Sequence, residues 1–234
     1  MVRLRIVKRL PSQGPGFLTL ERLLIRNVYA GRARSNPYRF EVLHRRGIDS
    51  VAILPYYLEG RRLMVVIKVG FRPGLYLRSR MPLPLRDRRS YTIMREAVAG
   101  SLEPGDRGAR GIDRRARAEL LEETGLTPRR QRPLLLGGGF FPSHGQSTEK
   151  VHLRAFAVDP AGSVEPQTDG TINEADSGTL AIEAGTILEM CRDGRIEDPK
   201  IEIGVSRLCA HLGYGASRRR RRSTRPRANG PRSG

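Results

Sequence analysis

The chain has 234 residues, enough to bury one core and carry extensions, with 43 basic against 24 acidic residues and a formal net charge of +19. Only four of the basic residues are lysine: Lys8, Lys68, Lys150 and Lys200. No apolar run approaches the length of a membrane span and the first residues lack a long apolar stretch, so a soluble, cytoplasmic protein without a membrane partner is expected.

Residues 1–48 read as a β extension. Strand-like alternation runs through FLTLERLLIR (17–26) and RFEVLHR (39–45), with a turn-rich stretch between. So few apolar residues make a marginal sheet, which should pack on the main domain or on another subunit. VAILPYY (51–57) and RLMVVIKV (62–69) are short apolar runs bounded by turns, a hairpin or adjacent strands. Residues 71–94 hold three prolines and many arginines and read as a binding loop or a disordered one.

Residues 100–108 form a Gly/Pro-rich turn that enters a helical pattern with Ile112, Ala116 and Leu120 on one face. Glu119 and Glu123 are four apart and share a side of that helix, with Glu122 one position round. Like charges at this spacing repel, and a divalent cation would remove that cost. Mg²⁺ suits the cluster because it takes carboxylate, water and phosphate oxygens together; Mn²⁺ is the alternative. Gly125 supplies the helix stop.

PLLLGGGFF (133–141) and VHLRAFAV (151–158) read as two strands around the loop PSHGQSTEK, and residues 159–178 as an acidic loop. A short helix over TILEMCRD precedes a last amphipathic helix containing Ile201, Val205, Leu208, Cys209 and Leu212. Cys191 and Cys209 form no CxxC and sit near no histidine cluster, which argues against zinc or a disulfide framework. Residues 215–234 hold eight arginines and no acid, leaving 35 basic against 24 acidic residues in the body, a net of +11. That tail is expected to be disordered. Nucleic acid contact through it is open, though a solvated tail with no dedicated partner is favoured.

The stretch from Gly100 to Leu126 resembles the Nudix box, G-x5-E-x7-R-E-U-x-E-E-x-G-U. Gly100, Glu119, Leu120, Glu122, Glu123, Gly125 and Leu126 take their expected places, and Asp106 stands for the first glutamate. Two departures matter: the spacer after Asp106 is eleven residues rather than seven, and the arginine position is Ala118. In the family that arginine orients a glutamate, and Arg115 and Arg117 are candidate substitutes. GFRP around Arg72, the "E-x-x-AG" phrase of Glu96 to Gly100, and PSHGQSTE, with His144 where a proline is usual, resemble the ADP-ribose pyrophosphatase branch.

The resemblance covers about residues 50–213. It implies an α+β fold, an α/β/α sandwich of a mixed sheet between helices, over 49–214, with the 1–48 extension commonly part of a homodimer. The implied activity is Mg²⁺-dependent hydrolysis of the diphosphate in ADP-ribose or a related nucleotide sugar. Glu119 and Glu123 with the carbonyl of Ala99 would be metal ligands, and Glu119, Glu122 and Glu123 the catalytic box glutamates. Arg72, Glu96 and Glu149 would meet substrate. Glu174 would be the loop catalytic base, with Asp176 and Glu183 as alternatives. A binding module that senses a nucleotide sugar and an RNA-directed hydrolase of the same family are the competing readings.

Overall fold

The computed structural model describes residues 16–31, 34–130, 132–163 and 178–214, so Glu174, Asp176 and the arginine-rich tail lie outside the described residues. The N-terminal extension is a two-stranded antiparallel sheet of β1 (Leu18–Ile25) and β2 (Tyr38–Arg45). A seven-stranded mixed sheet follows, and the helices pack on it. The fold is therefore α+β.

The central strand is β3 (Ser50–Glu59), whose first half is wholly buried. Its side chains alternate between two cores, as the two-residue repeat of a strand demands. Ala52 and Leu54 meet Ile187, Ile201 and Leu208 on one face, whereas Val51 and Ile53 meet Ala116, Leu120 and Phe156 on the other. The strand β8 (Val151–Ala157) runs parallel to β3, and β7 (Leu134–Leu135) borders it. On its other edge β3 changes neighbours. Tyr56 to Glu59 pair with β4 (Arg62–Gly70), and Ser50 to Ile53 pair with β6 (Val98–Ser101).

The splay between β3 and β4 is filled by one kinked strand. Its first part, β5 (Met94–Glu96), pairs with the end of β4. At the kink the Ala97 amide leaves the ladder and donates to Asp198 Oδ2 at 2.8 Å. Asp198 also caps the last helix by accepting from the Lys200 amide at 2.9 Å, so one buried carboxylate ties a strand break to a helix start. Farther along, β9 (Gly178–Glu183) pairs antiparallel with β4.

Four α-helices, α1 (Pro73–Arg78), α2 (Gly108–Thr124), α3 (Ala184–Arg192) and α4 (Pro199–His211), and a single 3-10 turn at Pro160–Gly162 complete the described chain. Helix α2 covers one face of the sheet, and α3 with α4 the other. Three expectations change in detail. The 71–94 segment holds α1, started by Pro73, rather than loop alone. The 133–141 run is a two-residue strand, because Gly137 to Gly139 interrupt it before Phe140 rejoins Val151 in an isolated bridge. Gly178, expected as the end of a loop, and residues 179–183, left unassigned before a helix, form β9. Of the eleven residues between Asp106 and Ala118, all but Arg107 lie in α2. Among the described residues no helix is long and apolar enough to cross a membrane.

Candidate active-site cleft

Helix α2 can present its acids because its other side is fixed. Ala116 and Leu120 are completely buried against the sheet, and Gly125 ends the helix at φ +66° in the left-handed region, where a Cβ is unfavourable. Glu119, Glu122 and Glu123 then line a cleft of about 790 Å³ with Ala99, Gly100 and Glu149. Five of the expected site residues are thus brought to one cavity.

Gly100 makes the approach possible. A Cβ built there would fall 1.9 Å from Cδ and Oε1 of Glu119, so the carboxylate occupies the space that any other residue would fill. The turn before α2 holds a charge cluster around Asp106, only 5% exposed. Arg115 donates to Asp106 through Nε at 3.0 Å, pairs with Glu103 through Nη2 at 2.9 Å and lies 3.8 Å from Glu119 through Nη1. Burial alone would raise the Asp106 carboxyl; the Glu103 amide, Arg115 and Arg114 outweigh it and hold the group below its ordinary 3.8. A guanidinium one turn before Glu119 thus stands beside the carboxylate that Ala118 cannot reach.

Glu123 is fastened more tightly. Lys68 Nζ on β4 lies 2.5 Å from Oε1, the Ala99 amide donates to Oε2 at 3.2 Å, and the two side chains are 4% and 8% exposed. Burial pushes the Glu123 carboxyl upward, and Lys68 and the amide oppose that rise. Glu122 is exposed at the cleft wall.

Glu149 arrives from the loop before β8 and is held from two sides. Ser50 Oγ donates to Oε1 at 2.7 Å, and Arg45 of β2 donates to the same oxygen while reaching Ser101 Oγ with its other nitrogen. Phe17 lies over that guanidinium, 5.2 Å from ring centroid to Cζ. The N-terminal hairpin therefore contributes a wall of the cleft.

Arg72 and Glu96 sit in an adjoining cavity that shares Phe17, Pro199 and Lys200 with the first. Arg72 Nε donates to both oxygens of Glu96 at 2.8 and 3.0 Å. Burial works against the charge on Arg72, but Glu96, with Glu123 and Asp198 behind it, outweighs burial and raises its pKa. Glu183, an alternative base, does not line the cleft: its Oε1 accepts from Tyr214 at 2.7 Å.

Sequence reasoning passed over Lys68, Arg45, Ser50 and Asp198. Lys68 had a signal, a lysine inside an apolar run of a chain that otherwise spends its basic residues on arginine. Arg45 had none, since its partner lies 104 residues away.

The cleft is lined by the carboxylates of Glu103, Glu119, Glu122, Glu123 and Glu149 and by the cations of Arg45, Arg46, Arg115 and Lys200. Among the described residues no group of three or more His, Cys, Asp or Glu side chains is arranged to hold a metal ion. A hard cation of the Mg²⁺ type fits the donors nonetheless, since it is held by one or two carboxylates and completes its shell with water and substrate phosphate. No family model matches the chain, and no curated protein matches it.

Proposed function

We propose that the protein hydrolyses the diphosphate of a nucleotide sugar, ADP-ribose or a close relative, with Mg²⁺ or Mn²⁺ as cofactor, on a Nudix-type α/β/α fold. The observation that carries this reading is the lodging of Glu119 against Gly100, beside Glu122, Glu123 and Ala99, on the wall of one cleft. Glu119 and Glu123, with the Ala99 carbonyl, would hold the ion. When bound, it would neutralise diphosphate charge and acidify a water.

The chain's own residues supply the rest. Arg115 holds Asp106 and Glu103 and so steadies the turn that carries the cleft rim. Glu122, exposed at the wall, and the loop acid Glu174 are the candidates to take a proton from the attacking water. Arg72, anchored by Glu96 through Nε and Nη2, offers Nη1 to the far phosphate. With ADP-ribose and one water the products are AMP and ribose 5-phosphate.

The hairpin exposes Leu18, Leu20, Leu23, Leu24 and Phe40, which supports association of two copies through β1 and β2. A mass measurement in solution giving a monomer at all concentrations would remove that part.

The test is release of AMP from ADP-ribose with Mg²⁺ and with EDTA, beside Glu119→Gln. Metal-dependent turnover that falls about a hundredfold or more in E119Q is expected. Unchanged turnover in E119Q sinks the site assignment. A second reading, a module that binds a nucleotide sugar without cleaving it, is favoured by one observation. Both oxygens of Glu123 already have partners, Lys68 and the Ala99 amide. ADP-ribose binding with no release of AMP at any metal concentration selects it.

A further inference from the structure

The opposite end of the sheet carries a cavity of about 560 Å³ that shares no lining residue with the cleft. The two are separated by the length of β3: Ser50 lines the cleft and Leu58 the far cavity, about 26 Å apart at strand rise. Volume alone puts it in the range of small-ligand sites.

Its lining is divided by chemistry. The floor is the ends of β4 and β8, with Leu63 and Ala155 fully buried and Val158 1% exposed. The rim is a short cationic loop just after α2. Arg129 there is engaged with Asp159 at 3.5 Å, whereas Arg130 and Arg132 make no ion pair among the described residues. Tyr56 stands between floor and rim, and its phenol makes no hydrogen bond among the described residues. Burial raises the Tyr56 phenol and the charge of Arg130 opposes that rise, so the guanidinium lies close enough to act on it. An apolar floor beneath two guanidiniums that have no ion pair among the described residues, with a phenol, is unsuited to a neutral or cationic guest. Arg130 and Arg132 are exposed at the rim and free to turn toward a carboxylate or phosphate, and the floor gains by covering an apolar body.

We propose that this cavity is a second ligand site that takes a small amphipathic anion, its apolar body on the Leu63, Ala155 and Val158 floor and its carboxylate or phosphate on Arg130 and Arg132. The site is independent of the reaction in the cleft. It also adjoins the end of the helix that carries the cleft glutamates, because the Arg129 amide donates to Ala157 O at 2.8 Å and Pro128 bridges Val158.

The experiment is titration calorimetry of the full chain with decanoate and decyl phosphate below their micelle concentrations, and with inorganic phosphate. Saturable one-to-one binding of a decyl anion is expected, with the two heads distinguished by their affinities. Arg130→Glu with Arg132→Glu should weaken it by about tenfold or more, through loss of the charged hydrogen bonds. Ala157→Phe, which fills the floor, should abolish it, and E119Q should leave it unchanged. The proposal is overturned if neither decyl anion saturates or if inorganic phosphate binds as tightly as they do. It is equally overturned if the arginine pair or Ala157 can be replaced without effect. The arginine-rich tail is present in every variant, so loss of binding in R130E/R132E cannot be credited to it.

Discussion

Replacing Gly100 by alanine separates the fold from the cleft. Gly100 lies in β6, paired with Val51, and its φ is not in the left-handed region, so alanine suits the backbone. Losing a glycine from a strand favours folding by about 0.5–1 kcal/mol. The added methyl would meet Cδ and Oε1 of Glu119 at 1.9 Å, whereas ordinary contact begins at 3.4 Å, so the carboxylate must retreat by 1.5 Å or more. It is the far end of a flexible side chain, and moving it off its rotamer costs about 0.5–1.5 kcal/mol. The two effects nearly cancel, and thermal stability should change by less than about 1 kcal/mol. Activity should not survive as well, since a displacement of about 1 Å at a reacting centre can cost about a hundredfold. The assay is AMP release with Mg²⁺ beside a thermal melt, with metal-induced stabilisation as a readout free of turnover. Full turnover and an unaltered metal response in G100A would show that the position of Glu119 beside Gly100 has no part in the chemistry. A collapse of the melt would show that Gly100 packs against more than one yielding side chain.

Three further outcomes follow from the packing. Gly47 has φ +79°, and a Cβ there would lie 1.7 Å from the carbonyl oxygen of Leu102; backbone cannot retreat as Glu119 can, so Gly47→Ala should cost more than about 2 kcal/mol in a urea melt. Lys68→Met leaves the buried Glu123 without its cation and should destabilise by about 3–5 kcal/mol, while adding Glu123→Gln should restore a large part; a double-mutant cycle measures this. Asp106 is held below its ordinary 3.8, so its contribution to stability is present above that value and lost as pH falls through its depressed pKa. Asp106→Asn should cost about 1–3 kcal/mol at neutral pH and flatten that acid limb in pH-dependent melts.

What could be read from the chain was whatever local period and turn chemistry determine. The β3–β4 hairpin, helix α2 with its Gly125 stop and the last helix were each legible, because their apolar spacing matches the face they bury. Glu119, Glu122 and Glu123 share a cleft wall for the same reason, being positions on one helix. Legibility ended where partners are distant in the chain. Lys68 meets Glu123 across 55 residues, Arg45 meets Glu149 across 104 and Ala97 meets Asp198 across 101. The strand β9 escaped notice because GTLAIE is short and follows a polar segment, and it is the vacant edge of β4 that makes it a strand. The glycines at 137–139 could be counted as breakers, yet only the fold shows why Gly139 is needed: a Cβ there would lie 2.4 Å from Val151 O.

The docking of the N-terminal hairpin has a consequence for the order of synthesis. Its anchors are the Leu43 amide to Gln146 O at 2.8 Å, the Thr148 amide to Leu43 O at 3.3 Å, and the Arg45–Glu149 pair. A ribosome makes the hairpin first and its landing strip 104 residues later, which at ordinary elongation rates is a delay of roughly 5–20 seconds. Throughout that interval two strands too small to be stable alone have no body to dock on. A segment made early is thus secured late, and a nascent chain halted short of Glu149 carries a β-ribbon without the anchors that hold it in the finished protein.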